Sequence, residues 1–407
     1  MRVGIEKINL YAGQFYLDIA ELAQARGQDP KHIVNNLMCE RRSVYPVCED
    51  AVTLAVNAAK RLLSPEDLKD IELLIVGTES AVDFGKPIST WVHRFCNLPA
   101  NCRNFEVKHA CYSCTGALKM AASWVAAGVR PGKKALVINT DFNRNGTGKS
   151  YEAIGGGCAV AMLVSANPLI LEIELEKAGY WTTEIYDTFR PTSKAESIND
   201  EISLYSYLDA LEGSFNHYEE IGGKVDYEAD FQKHIYHAPF PGMTFQAHRT
   251  MMSRLYAADK ATAKASFQEK VSESLHFAKH IGSAYGGSNF VSLLGLLTSA
   301  QNLSPGDKIS LFAYGSGCQG EFYSGIIGET ACEQVRSLNI DQHLNERMRL
   351  SVEEYEANES EREKYIDCPD FQTDRDGFDG AYEKLYQGRN LLVLEQVEAY
   401  HRKYEWS

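Results

Sequence analysis

The chain has 407 residues, 44% hydrophobic and 24% charged, with a formal charge of −14; it can bury a large core, and its length implies two domains or a duplicated fold. The acidic balance argues against nucleic acid or an anionic membrane as the main partner, and no run nears the roughly 18 consecutive apolar residues of a membrane span. Met1-Arg2-Val3-Gly4-Ile5 opens as a strand without a signal-peptide core, and ten scattered cysteines suit a reducing compartment, the cytoplasm, better than a disulfide framework.

In chain order, apolar runs predict strands over residues 3–10, 72–76, 105–108, 135–140 and 160–163, then 169–175, 308–312 and 391–394. Three-to-four apolar spacing predicts helices over 52–63, 116–127 and 288–297. Alternation of this kind implies a mostly parallel sheet covered by helices. Residues 180–227 are polar and aromatic and read as an inserted or capping region, and 353–364 as a charged helix with a solvated face. The organisation expected is an N-terminal half, 1–167, carrying the nucleophile, and a C-terminal half, 168–407, holding the insertion.

The richest stretch is Phe105-Glu106-Val107-Lys108-His109-Ala110-Cys111-Tyr112-Ser113-Cys114, a strand running through a cysteine into a helix. Unpaired N–H groups and the helix dipole at such a junction favour a thiolate. A thiolate there is a nucleophile for an acyl group, with the Cys111 N–H placed for the oxyanion. Cys111 and Cys114 also form a Cys-x-x-Cys, open to a redox or half-zinc reading. Zinc needs a second ligand pair, and alternation sends the nearest candidates, His234 and His237, to opposite faces. Cys114 reads more simply as a packing residue.

Four further motifs carry chemistry. Gly77-Thr78-Glu79-Ser80 places a carboxylate at the end of an apolar strand, where desolvation raises its pKa toward that of a general acid/base; an exposed loop glutamate is the plainer alternative. His234-Ile235-Tyr236-His237-Ala238-Pro239-Phe240 puts His237 at a strand end beside a proline turn, functional or simply structural. In Tyr314-Gly315-Ser316-Gly317 the glycines let the backbone approach a ligand and present N–H groups, although a bare turn has the same composition. Gly155-Gly156-Gly157 before an apolar strand predicts close backbone packing and no phosphate loop.

In their joint order and spacing, Gly77-Thr78-Glu79-Ser80, Ala110-Cys111-Tyr112-Ser113, His237-Ala238-Pro239-Phe240 and Tyr314-Gly315-Ser316-Gly317 resemble the 3-hydroxy-3-methylglutaryl (HMG) synthases of the thiolase superfamily. Tyr205-Ser206-Tyr207-Leu208-Asp209-Ala210-Leu211 looks like the family's segment between its halves. The resemblance covers nearly the whole chain and implies a duplicated α/β thiolase fold, layered α-β-α-β-α, in a homodimer. It carries the roles of nucleophile onto Cys111, general acid/base onto Glu79 and acceptor binding onto His237. Ser316, Gly315, Tyr207 and Ser283 would bind the oxyanion and substrate, with no metal or redox cofactor.

Mevalonate-pathway members usually carry a coenzyme A-binding lysine where Gly242 stands in Phe240-Pro241-Gly242-Met243. Together with Ala247-His248-Arg249-Thr250-Met251-Met252, that stretch looks like the polyketide β-branching members, which work on separate donor and acceptor acyl carrier proteins. Carrier proteins are acidic, so this reading needs basic residues at the pocket mouth, and Arg41, Arg42, Arg249 and Arg254 are the candidates. Ser283 replaces a family asparagine, and the 143–153 loop is short and glycine-bearing; both bear on acceptor recognition. The alternatives are a mevalonate-pathway HMG-CoA synthase using acetyl-CoA and acetoacetyl-CoA, a non-catalytic carrier-binding scaffold, and a ketosynthase-III-like condensing enzyme, which Glu79 fits poorly.

Overall fold

Strand alternation organises this molecule, whose computed structural model describes residues 2–144, 146–375 and 380–407. Nine strands form its main sheet: β1 (Gly4–Tyr11), β2 (Ile71–Gly77), β3 (Arg103–Val107), β4 (Lys134–Phe142), β5 (Gly157–Ser165), β6 (Leu171–Thr182), β7 (Lys233–Tyr236), β8 (Lys308–Gly315) and β9 (Gln319–Ile327). Their order is β7-β8-β9-β6-β1-β5-β4-β2-β3. The helices that matter here are α1 (Pro30–Leu37), α2 (Ala51–Leu62), α3 (Ser113–Ala126), α4 (Asp200–Gly222), α5 (Pro241–Tyr256), α6 (Ser288–Ser299) and α7 (Val352–Lys364).

The sheet is mixed, which corrects the mostly parallel expectation. β2 runs parallel to β3 and β4, and β7 to β8, while the other neighbours are antiparallel. The cause lies in the connections: parallel neighbours need a crossover, supplied by the Ile88–Phe95 helix between β2 and β3, by α3 where the chain passes from β3 to β4 on the other side of β2, and by α5 and α6 between β7 and β8. The tight Gly315-to-Gln319 link between β8 and β9 forces an antiparallel pair.

Each strand divides its side chains between two cores. On β5, Cys158, Val160, Met162 and Val164 face a central core shared with α3 and α6; Ala159, Ala161 and Leu163 face an outer core covered by α2. On β8, Ile309, Leu311 and Ala313 enter the central core, and Phe312 and Tyr314 turn to a second outer core under α4 and α5. The two halves of the sheet, β1-β5-β4-β2-β3 and β7-β8-β9-β6, thus enclose α3 with α6 and are covered outside by α2 and by α4 with α5: the five-layer α-β-α-β-α arrangement. α2 is held at its start by a capping box, Asp50 accepting from the Thr53 N–H while the Thr53 side chain answers the Asp50 N–H.

Two stretches differ from expectation. Residues 180–182 end β6, and 200–222 form α4, which buries Tyr207, Leu211, Phe215 and Tyr218 against the sheet. Gly179 permits that approach, because a Cβ there would lie 2.0 Å from the Ser214 carbonyl oxygen. Part of the aromatic content of 180–227, Tyr207, Phe215 and Tyr218, is therefore the inner face of an outer-layer helix, while Tyr180, Trp181, Tyr186, Phe189 and Tyr205 are exposed, and only 183–199 arches over the sheet ends. α7 occupies the 352–364 stretch but is not wholly solvated: Tyr355, Asn358 and Glu359 are buried, and the Asn358 amide donates to the Tyr45 carbonyl at 3.0 Å. No helix among the described residues is long and apolar enough to cross a membrane.

Candidate active site

β3 ends at Val107, and the chain turns through His109-Ala110-Cys111 before entering α3. Ala110 takes φ +39°, and the turn closes with Tyr112 N–H to His109 O at 2.9 Å and Ser113 N–H to Ala110 O at 3.2 Å. Two contacts clamp it from the β8–β9 side. A Cβ on Gly315 would sit 2.5 Å from the Tyr112 nitrogen, so glycine is required for β8 to approach. The Tyr112 hydroxyl donates to Glu321 Oε2 at 2.6 Å, and Lys119 Nζ lies 3.0 Å from Glu321 Oε1. Glu321 is fully buried; this charge-assisted set fixes the Cys111 turn to the opposite part of the sheet.

Glu79 follows β2 by two residues. Its N–H donates to Asp141 Oδ1 at 2.9 Å, and the Cys111 thiol donates to Glu79 Oε2 at 3.7 Å. Burial, countered by Arg190 but reinforced by Asp141 and Glu196, pushes the Glu79 carboxyl up to about 7. Asp141 is pushed up to about 6 by burial. Burial and the neighbouring Glu79 hold the Cys111 thiol well above its ordinary value. This corrects the thiolate expectation: next to a carboxylate in a dry site, the resting cysteine is a thiol hydrogen-bonded to Glu79. Cys114 is buried in the central core with its thiol likewise pushed up by burial, as a packing residue should be.

His237 follows β7 by one residue. Its N–H donates to Phe312 O at 2.7 Å, and its carbonyl accepts from the Tyr207 hydroxyl at 2.7 Å. Its Nδ1 lies 2.6 Å from Ser288 Oγ, which also accepts from the Ala238 N–H at 3.2 Å. The roles across the Nδ1–Ser288 contact depend on the tautomer; a Ser288 hydroxyl donating to Nδ1 is the arrangement that puts the ring proton on Nε2. Burial pushes the imidazole down to about 3, leaving a neutral hydrogen-bond donor.

Glu79, Cys111, His237, Tyr207, Ser283 and Ser316 all line one cavity of about 590 Å³, with Leu37, Phe240 and Met243 on an apolar wall. Gly315 does not line it and packs against the Cys111 turn instead. The triple glycine packs as expected: a Cβ on Gly155 would strike the Arg42 guanidinium and one on Gly156 the Ile281 carbonyl. Arg42 is the clear correction among the basic candidates. It is 2% exposed, donates to the Glu152 carbonyl and lies over the Tyr355 ring; it offers a partner nothing. Arg41 is half-buried over Tyr16, and Arg254 is engaged by Asn216 and Glu212. Arg249 is exposed, one turn beyond the cavity-lining Gln246.

Sequence reasoning missed Asp141, Asp187, Arg190, Glu196, Tyr285 and Ser288. Asp187 is buried, accepting from the Tyr314 hydroxyl at 2.6 Å and the Gly317 N–H at 2.9 Å, and so ties the 183–199 arch to the Ser316 turn. Only Ser288 had a usable signal, as the first residue of a predicted helix behind a Gly-Gly pair.

Two family models match this chain: hydroxymethylglutaryl-coenzyme A synthase N terminal over residues 1–168 and its C-terminal counterpart over residues 245–406. The polyketide biosynthesis 3-hydroxy-3-methylglutaryl-ACP synthase PksG of Bacillus subtilis (strain 168) is 37% identical, with 99% of each chain covered. The hydroxymethylglutaryl-CoA synthase of Enterococcus faecalis is 33% identical over 88% of this chain and 91% of its own length. Among solved structures, the curacin biosynthetic pathway HMG synthase in complex with acetyl donor-ACP superposes with a TM-score of 0.96 at 38% identity, over 100% of both chains. This chain belongs to the hydroxymethylglutaryl-coenzyme A synthase family and is an HMG synthase-type condensing acyltransferase with a thiolase fold.

Proposed function

We propose that the chain adds an acetyl-derived carbanion to the β-keto group of an acyl chain borne on an acyl carrier protein, through an acetyl-Cys111 intermediate and without metal or redox cofactor. The observation that supports this most is the pairing of the Cys111 thiol with Glu79 in a cavity that also holds a neutral His237.

Cys111 passes its proton to Glu79 as the sulfur attacks the donor thioester, and the proton leaves with the carrier thiol. Glu79, a carboxylate again, takes a proton from the acetyl methyl. The N–H groups of Cys111 and Ser316 hold the enolate oxygen. The carbanion bonds to the acceptor β-carbon while His237 Nε2–H polarises the ketone. With its pKa near 3 the ring neither gains nor loses a proton readily, so Glu79 returns its proton to the alkoxide. Water then cleaves the thioester, releasing the acid and restoring the thiol.

The carrier assignment draws on Gly242 and on the relatives. A Cβ at 242 would lie 2.2 Å from the Asn36 carbonyl oxygen, because α1 packs directly on α5. The place of a phosphate-binding lysine is filled by backbone, which supports a substrate arm held by its carrier rather than by a coenzyme A phosphate cluster. PksG is named for HMG-ACP synthesis, and the curacin enzyme was solved with its donor carrier. We assign this chain an acceptor carrier as well as a donor. A homodimer is supported by the open edge of β3 and by Phe84, 94% exposed nearby. Ten cysteines without disulfides support a cytoplasmic setting.

The test is product mass. Acetyl carrier protein plus acetoacetyl carrier protein should yield the 3-hydroxy-3-methylglutaryl carrier protein with wild type. Product from acetyl-CoA and acetoacetyl-CoA at equal or greater rate would move the assignment to the coenzyme A enzyme.

A further inference from the structure

Arg190 and Glu196 have no place in the reaction as just derived, yet the fold brings both beside Glu79. They lie on the 183–199 arch, a short ribbon pairing Thr188–Phe189 with Ser197–Ile198. The arch is anchored on both sides of Arg190. Ile185 N–H donates to Gly317 O at 2.8 Å, Asp187 binds the Ser316 turn, and Arg144 Nη1 donates to Ser193 O at 3.1 Å. From it Arg190 reaches inward: Nη1 donates to the Glu79 carbonyl at 3.3 Å, while Nη2 stands 3.4 Å from Glu79 Oε1 and 3.1 Å from Glu196 Oε1. The guanidinium also covers the Tyr285 ring at 5.2 Å, and Glu196 lines the catalytic cavity.

The geometry points to Arg190 as the positioning residue of Glu79, and to Glu196 as the counter-carboxylate that holds Arg190 in place and moderates its field. The inference rests on the reading of Glu79 as the acid/base. The groups facing Glu79 are the Cys111 thiol on the nucleophile turn, Asp141 on β4, Arg190 and Glu196 on the arch, and Tyr285 before α6. Burial and Asp141 alone favour a permanently protonated carboxyl, unable to remove a methyl proton. An unmoderated guanidinium would bring the opposite fault, a carboxylate too weak as a base and too reluctant to hold the proton for the alkoxide. Sharing the cation between two carboxylates gives the intermediate field that both half-reactions need.

The test separates field from scaffold by sign. Acetyl groups are loaded onto Cys111 from an acetyl carrier protein in D₂O, and deuterium entry into the acetyl methyl is followed by intact mass against pD. Arg190→Gln should raise the acid limb of that profile by about one unit or more, cutting exchange near neutrality about tenfold with recovery at higher pD. Glu196→Gln should move the limb the other way, and Arg190→Lys should stay near wild type. A purely structural role would slow all three variants at every pD. Limbs that stay put, or move together, while acetyl-Cys111 still forms would overturn the inference. Should Arg190→Gln not fold, Glu196→Gln and Arg190→Lys still decide the sign. Failure of wild type to form acetyl-Cys111 would instead bring down the site reading beneath it.

Discussion

On the Cys111 wall of the cavity, ionisable groups crowd together: the thiol, Glu79, Asp141 and, from the arch, Arg190 and Glu196. On the His237 wall the imidazole meets the Ser288 hydroxyl, its main chain meets the Tyr207 hydroxyl and the Phe312 carbonyl, and no charge compensates its burial. Burial acts on both walls with different outcomes. Where opposite charges are coupled, it brings a carboxyl to about 7, where protons can move either way. Where only neutral partners stand, it holds a histidine uncharged and makes it a fixed donor. One wall is built to exchange protons and the other to orient a dipole.

The widest break in that comparison comes from Cys111→Ala, which should remove the acetyl adduct and lower turnover about 10⁴-fold or more. Glu79→Gln should leave donor binding intact but reduce condensation about 10²–10⁴-fold, read as loss of HMG product at unchanged KM. The pH profile sharpens the contrast. With the Glu79 carboxylate as the proposed base and its carboxyl pushed up to about 7, the wild-type condensation rate should rise on going from about pH 6 to 8. His237, neutral down to about pH 3, should add no inflection in that range.

Ser288→Ala removes the hydroxyl that partners Nδ1 of His237. A lost hydrogen bond of this kind costs about 1 kcal/mol, so condensation should fall about fivefold while acetylation of Cys111 is spared. The smallest expected effect on chemistry is that of Gly242→Lys. It should not create coenzyme A dependence but should lower stability by about 1–3 kcal/mol, seen as a reduced Tm, because the side chain meets the Asn36 carbonyl.

The Cys111 wall was largely legible in the sequence because its parts sit at strand ends, where local pattern predicts position. Glu79 follows β2 and Cys111 follows β3, two adjacent parallel strands. His237, at the end of β7, was legible for the same reason. What tunes these residues was not legible: Arg190, Glu196 and Asp187 act across a non-local arch with no periodic signal. Asp141 sits within a strand whose apolar run hid its side chain, and Arg42 in an exposed-looking Arg-Arg pair carries no mark of the core it enters. The thiolate expectation failed on the same ground. The helix junction is local, but the carboxylate that opposes ionisation arrives from another strand.

The proposed reaction turns on an acetyl-Cys111 intermediate fed by a carrier protein, which intact-protein mass spectrometry reads out. Wild type and Cys111→Ser are mixed separately with acetyl carrier protein and with acetyl-CoA. Wild type should gain an acetyl adduct, mapped to Cys111 and forming far faster from the carrier protein, and the serine variant should gain no thioester adduct. Equal or faster acetylation by acetyl-CoA would contradict the carrier assignment, and no adduct from either donor would contradict the thioester mechanism itself.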